Sequence, residues 1–526
     1  MSRHLGRTGS FGDPVGIFHW DWSGFPTSMP NVKWCFLLLS LCLAGSGVRA
    51  SEVKESIPLS LSACLDRALQ NNLGLRVQRM DADLAEEGLV QSLSEFDPSL
   101  AFSVNANQRQ AASAASELDG SDQPVSEGQG VAVDLSRKLG IGTTLQLDGN
   151  LGRNDTDSSF ATLNPAYDAD AGISLSQPLL KNRGRVVHEA GIRRGEIAVM
   201  KAEQGLLIDV MDLLERAELV YWRARVAQER LRIQSASLAS ARALLEETRE
   251  KERHGLQTKV DVLQAEAGAA SKEENLILTR QEIADVSDQL WLLMGESMSL
   301  APKQMQLDDL PEDLPDAPSP EVSLQTALQV RPEYLLQKQA IAERRIDEEV
   351  AARRHLPNLD LNARASYSGL ADDFDGAFEG VANGDGYNWR IGMAFGLPWG
   401  MRGSKSELAE ARIRLMQSNW DLRRVEQELE ADMRSACRAV EAGNARLQVT
   451  RLSLEVAEEQ RAQEQGRFDV GLVTVRQVLD VQEDFDNARL RELEAIQDTQ
   501  TAWVKLQRLE GTLLERHDLG WKDVMD

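Results

Sequence analysis

GLQTKVDVLQAE at Gly255–Glu266 and GLVTVRQVLDVQ at Gly471–Gln482 are nearly one sentence written twice. Gly255 matches Gly471, Leu256 matches Leu472, Thr258 matches Thr474, and Val262-Leu263 match Val478-Leu479. A glycine supplies the left-handed backbone that ends a helix. A threonine three residues later can cap the next helix. Each stretch therefore reads as the tip of a helical hairpin, and the chain reads as two copies of one plan.

Working outward from the tips, none of the 16 prolines falls between Leu179 and Ala301 or after Pro398. Both regions are rich in strong helix formers. Val186–His254 reads as one helix, which at 1.5 Å per residue would reach roughly 100 Å. Asp261–Gly295 reads as its return. Ser404–Asp469 and Arg476–Leu514 repeat the pair. Leu206, Leu207, Val210, Leu213, Leu214 and Ala217 recur at helical spacing. A hairpin this long cannot bury enough apolar surface alone, so it must pack against others.

Further out, LDRALQNNLGL at Leu65–Leu75 resembles LQTALQVRPEY at Leu324–Tyr334, and Pro98 in FDPSL holds the place of Pro357 in HLPNL. After each proline the period changes to two. Leu100, Phe102, Val104 and Ala106 share one face, as do Leu359, Leu361, Ala363, Ala365 and Tyr367 in the second copy. Return strands follow. Ile173 and Leu175 alternate with glycine and serine up to Pro178, and Tyr387, Trp389, Ile391, Met393, Phe395 and Leu397 alternate with small or polar residues up to Pro398. Such strands suit a soluble sheet packed on a core or a membrane barrel with lipid outside and water inside. Their length, the aromatics near a strand end, and the Gly/Asp/Ser-rich loops Ala111–Gly130, Asn154–Ala166 and Ala371–Gly386 favour the barrel.

The first copy has one extra piece. Val131–Leu151 reads as a hairpin, with Val131, Val133 and Leu135, then Leu145, Leu147 and Leu151, on one face and Gly140 and Gly142 at the turn. Either it adds two strands to the wall or it sits outside it.

The chain has 83 acidic and 58 basic side chains, a net charge of −25. That argues against nucleic acid, which needs a basic surface. Mean hydropathy is −0.35, which excludes a bundle of membrane helices. From Met29, MPNVKWCFLLLSLCLAGSGVRASEV reads as a signal peptide with Lys33 in the n-region, Trp34–Ala44 as the apolar stretch, and cleavage after Ala50. Cys35 and Cys42 fall in it, leaving Cys64 and Cys437 as small buried hydrophobes. The six histidines form no ligand spacing, and no nucleophile motif, phosphate loop or cysteine pair stands out, so neither an enzyme nor a cofactor or metal site is expected. A periplasmic coiled-coil scaffold without channel activity is the alternative; it explains the helices but not the paired strands.

The order of helix, strand, strand and long helical hairpin, done twice, with FDPSL, SQPLLKNRG and the paired GLxTxxxVL turns, resembles the TolC-like outer-membrane efflux protein family. The resemblance covers Leu59 to about Leu514. It implies a mixed fold, all-α plus membrane β. A homotrimer would share one outer-membrane β-barrel, continued by a periplasmic α-barrel. The family's usual count is twelve strands per trimer; the extra hairpin, if in the wall, makes eighteen. It implies an exit duct of tripartite efflux or type I secretion, surrounded by outer-membrane lipid, that docks a periplasmic adaptor (membrane fusion) protein and through it an inner-membrane transporter. It also implies a pore constriction at Asp261, Gln264, Gln477 and Asp480, and adaptor docking at Lys251, Gly255, Leu256, Arg467, Val470, Gly471 and Leu472. The expected organisation is an N-terminal extension and signal over 1–50, a first repeat over 51–300, a Pro-rich linker over 301–320, a second repeat over 321–515, and a tail over 516–526.

Overall fold

A computed structural model describes residues 56–112, 116–296, 304–308, 310, 315–517 and 519. The expected signal segment and its cleavage site lie outside them, as do parts of the expected linker and most of the expected tail.

The first copy runs β1 (Ser56–Leu59), α1 (Leu61–Asn71), α2 (Leu73–Leu93), β2 (Ser99–Gln110), the one-turn α3 (Ser116–Asp119), β3 (Val125–Lys138), β4 (Thr144–Thr156), β5 (Ala166–Pro178), the one-turn α4 (Arg185–His188), α5 (Ala190–Arg253) and α6 (Lys259–Leu293). The second runs β6 (Gln304–Leu307), α7 (Pro320–Val330), α8 (Pro332–Arg354), β7 (Asn358–Ala371), α9 (Phe374–Asn383), β8 (Gly386–Gly396), α10 (Arg402–Asp469), α11 (Val475–Glu510) and the one-turn α12 (Leu513–Arg516).

The breaks repeat along with the elements, by different chemistry. Between α1 and α2, Asn72 is extended (φ −62°, ψ 120°) and its side chain accepts from the Leu75 N–H. Between α7 and α8, Arg331 takes the same conformation (φ −63°, ψ 120°). There the cause is Pro332, since a residue before proline is pushed out of the helical region. Two expected helices are shorter than read. The first begins only after a break at Glu189 (φ −88°, ψ 4°). The last ends at Gly511 (φ 82°), where a β-carbon would also sit 3.0 Å from Arg331 Cα. The segment expected as a linker carries β6, which pairs in parallel with β1. Tyr221 of α5 locks that pair, donating to the Leu59 carbonyl at 3.0 Å and accepting from the Asp308 N–H at 2.9 Å.

The six long strands form one antiparallel sheet in the order β2-β3-β4-β5-β7-β8. The extra hairpin is therefore in the sheet, between the first copy's two matched strands. Its turn closes with Leu139 N–H to Thr143 O at 2.8 Å. The register runs without a slip. Phe102 faces Val133, Val133 faces Gly149, Leu147 faces Ile173, Ile173 faces Ala365 and Ala365 faces Trp389. Because alternate side chains point to opposite faces, one face carries an apolar band across all six strands, giving way on β2–β4 to Gln108, Glu127, Gln129, Arg153 and Asp155 at the end remote from the helices. The other carries Asp134, Asp148, Asp170, Arg364 and Arg390, and a concavity lined by Gln146, Ser174, Asn362, Arg364 and Arg390 opens on it.

The helical core is split. One cluster packs Leu65, Leu69 and Leu75 against Leu206, Val210, Leu213 and Leu214 of α5, joined by Val504 and Leu513. Another packs α7 and α11 on Leu429, Met433, Cys437 and Val440 of α10. Each fully buried side chain of this size stabilises by roughly 1.5–3 kcal/mol. Cys64 and Cys437 are free and buried, as expected. Burial pushes the Cys64 thiol up to about 12, against the nearby Arg67 charge, which lowers it.

Candidate functional site

At the tips both copies turn by the same chemistry. Gly255 (φ 73°) and Gly471 (φ 79°) take the left-handed backbone, and the next N–H, of Leu256 or Leu472, returns to the Lys251 or Arg467 carbonyl at 2.9 Å in each copy. Thr258 and Thr474 cap α6 and α11. Each cap is reciprocal. The Asp261 carboxylate accepts from the Thr258 N–H at 2.9 Å and its hydroxyl at 2.6 Å. Gln477 accepts from the Thr474 N–H at 2.8 Å. Asp261 and Gln477 are thus matched third residues of capping boxes. Gln264 and Asp480 lie three residues on, about one turn deeper. Asp480 is exposed, with Arg476 Nε 3.9 Å away.

The two tips lean on each other. Phe468, Val473, Val475 and Val478 of the second pack with Ala241, Leu244, Leu245, Ala265 and Ala269 of the first. Lys251 spans them, its ammonium 4.0 Å from the Phe468 ring centroid and 2.8 Å from Glu247. Arg467 pairs with Glu464 instead. Leu256, Val470 and Leu472 take no part in that core and are 75%, 70% and 70% exposed. A turn that buries Phe468 and leaves two leucines outside presents an apolar knob at each tip.

Higher up, charges tie the copies together. Asp486 of α11, nearly buried, accepts from Ser237 of α5 and from Lys272 of α6, whose ammonium is 2.8 Å away. Arg508 of α11 bridges Asp212 of α5 and Glu333 of α8. Glu218 of α5 is fully buried and held by Trp222 Nε1 at 3.2 Å and His517 Nε2 at 3.0 Å, with Arg516 at 3.5 Å.

On the polar face of the sheet Arg364 bridges Asp148 of β4 and Asp170 of β5. Gly172 makes room; a β-carbon there would meet the guanidinium at 2.9 Å. Sequence reading missed this cluster. It joins residues up to 216 positions apart, which only the register brings together.

A sequence profile of the family described as Outer membrane efflux protein matches residues 143–296 and 323–512. The match takes in β4, β5 and both long hairpins. The chain is 25% identical over 372 residues to the outer membrane protein TolC of Vibrio cholerae serotype O1, spanning 68% of this chain and 78% of that protein. It is 22% identical over 492 residues to the proteases secretion protein PrtF of Dickeya chrysanthemi, spanning 92% and 93%. Its fold is similar to that of the Campylobacter jejuni CmeC outer membrane channel, with a TM-score of 0.64 at 16% identity, covering 86% of this chain and 85% of that one.

Proposed function

The chain belongs to the outer membrane efflux protein family, and from that premise we propose that it forms a homotrimeric exit duct of a tripartite efflux or type I secretion system. Its place is the outer membrane, with the helices extending into the periplasm. The observation that carries the reading is the sheet. It has an apolar band across one face of all six strands, one polar concave face, and two edges, β2 and β8, without partners among the described residues. An open edge with an apolar face is unstable in lipid, where every backbone group must find a partner inside the protein. With six strands per chain, each antiparallel to the next, β2 and β8 run in opposite directions. β8 of one copy can then pair with β2 of the next, and three copies close an eighteen-strand barrel. The hairpins continue it as a helical tube.

Two repeats, 51–300 and 321–515, supply equal shares of that tube. Leu256, Val470 and Leu472, with Lys251 and Arg467 behind them and Gly255 and Gly471 setting the turns, dock a periplasmic adaptor, which links the duct to an inner-membrane transporter. Asp261, Gln264, Gln477 and Asp480 ring the periplasmic entrance, giving six carboxylates in a trimer; crowded like charges attract cations. The duct passes small molecules or proteins and performs no catalysis itself.

Planar-bilayer conductance of the purified protein tests this. Discrete, cation-selective steps from a protein extracted from outer membranes are expected. Silence from a protein recovered in the soluble fraction would overturn the duct in favour of a periplasmic scaffold.

A further inference from the structure

The connection between β7 and β8 lies at the end of the sheet remote from the helices and folds into α9. The pleat decides which face α9 covers. Tyr167, Ala169, Gly369 and Ala371 share the apolar face, because Leu151 pairs with Ala169, Ala169 with Gly369 and Tyr167 with Ala371. α9 lies on these residues. A β-carbon on Gly369 would strike the Ala377 carbonyl, and one on Gly380 would come within 2.9 Å of Gly369 Cα. Ala377 and Gly380 are buried there. The Phe374 ring meets Tyr167 edge-on, 4.4 Å between centroids. A cap from Asp373 to the Gly376 N–H at 2.7 Å starts the helix, and Gly384 (φ 74°) ends it.

The seated side of α9 is made of small residues, and its flanks differ. Phe374 and Phe378, four residues apart, share one flank and are 48% and 63% exposed. Asp375 and Glu379 lie about 100° further round. A short helix on the lipid-facing side of a membrane sheet, with one aromatic and one acidic flank, has the form of an interfacial helix.

We infer that α9 lies on the outside of the barrel at its extracellular rim, with Phe374 and Phe378 inserted among the outer-leaflet acyl chains and Asp375 and Glu379 at headgroup level. The partner is lipid, because the aromatic flank continues the apolar face of the same strands. The inference rests on the outer-membrane reading of the sheet.

Spin-label accessibility separates the two ideas. Cys64 and Cys437 are buried, and Cys35 and Cys42 precede the expected mature start at Ser51, so an introduced thiol takes the label. Phe378→Cys, and independently Phe374→Cys, is labelled in the full chain reconstituted in phospholipid vesicles. Ile173→Cys reports the middle of the sheet's apolar face and Leu256→Cys reports water. Oxygen collision exceeding that of a water-soluble nickel complex at 378 and 374, as at 173 and unlike 256, is the expected result. Nickel dominating at 378 and 374 while oxygen dominates at 173 overturns the interfacial helix and leaves the duct standing. Exclusion of both reagents at 378 and 374 also overturns it, since another copy would then cover the helix. Nickel dominating at 173 overturns both readings.

Discussion

Asp261 and Asp480 both belong to the expected constriction, and their surroundings differ. Asp261 spends both its local hydrogen bonds on the cap of α6, while Asp480 faces solvent beside Arg476. The charge at Asp261 also favours the helix N-terminus, by about 0.3–1 kcal/mol. Asp261→Asn keeps an acceptor oxygen for Thr258, so the double variant Asp261→Asn/Asp480→Asn should fold. Its reversal potential in a salt gradient should move toward zero selectivity. A potential unchanged from the parent protein would sink the proposed ring. The threonine caps were legible from spacing, because glycine and threonine have few reasons to recur together. The division of labour between the acids was not, since a capping box and a pore ring ask for the same residue type at the same place.

A second residue-scale effect concerns Glu218. Burial raises its carboxyl pKa, but the hydrogen bond from His517 and the charge of Arg516 lower it, and the net result is below the ordinary 4.5. A carboxyl depressed in the folded state contributes stability that is complete above its unfolded pKa and is lost as pH falls through the folded one. Thermal unfolding should therefore show an acid-side decline beginning near pH 4.5. In Glu218→Gln that component should be missing, with a cost at neutral pH of about 1.5–3 kcal/mol for the lost charged hydrogen bonds. An unchanged acid limb in the variant would remove Glu218 from the account. Nothing in the sequence announced this carboxyl, because the His517 that holds it lies 299 positions away along the chain.

Among elements, the tips carry the sharpest contrast. Phe468 is buried between the hairpins while Leu256 and Leu472, at the same level, are exposed. Phe468→Ala should cost about 3–5 kcal/mol, as truncation of a buried aromatic does. Leu256→Ser with Leu472→Ser should leave thermal stability and trimer formation unchanged while abolishing recovery of the adaptor in a pull-down. Full recovery of the adaptor, with lowered stability, would place the leucines in packing between copies instead. The hairpins and tips could be read because their signals are local, a proline-free helical run ended by glycine. The β1–β6 pair and α9 could not. The first joins two four-residue strands across some 248 positions, as Ser56 pairs with Gln304. The second hides in a Gly/Asp/Ala-rich stretch that has loop composition and becomes helical on a glycine of the sheet below it.

For the whole molecule, the open question is the width of the barrel. Conductance is governed by the narrowest section, and that section is expected at the tips, so step size reports the entrance more than the wall. The topology offers a cleaner test. β2 and β3 form a hairpin whose two ends both lie on the helix side of the sheet. There Arg137 donates to the Phe96 carbonyl at 3.3 Å, and Lys138 pairs with Glu95. Removing residues 99–138 would therefore join the end of α2 to the turn before β4 over a short distance. Four strands would remain, β4, β5, β7 and β8, with first and last still antiparallel, so three copies could close at twelve. Diameter grows roughly in proportion to strand number, and the shortened barrel should be about two-thirds as wide. Polyethylene glycols of graded size, added from the extracellular side, should partition into the parent lumen up to a larger cut-off than into the excised one. Equal cut-offs would mean that β2 and β3, although in register within one chain, are displaced from the wall when copies assemble. Failure of the excised chain to reach the outer membrane, while a chain with Asp134→Asn on the same hairpin does so normally, would instead make β2 the strand that closure requires.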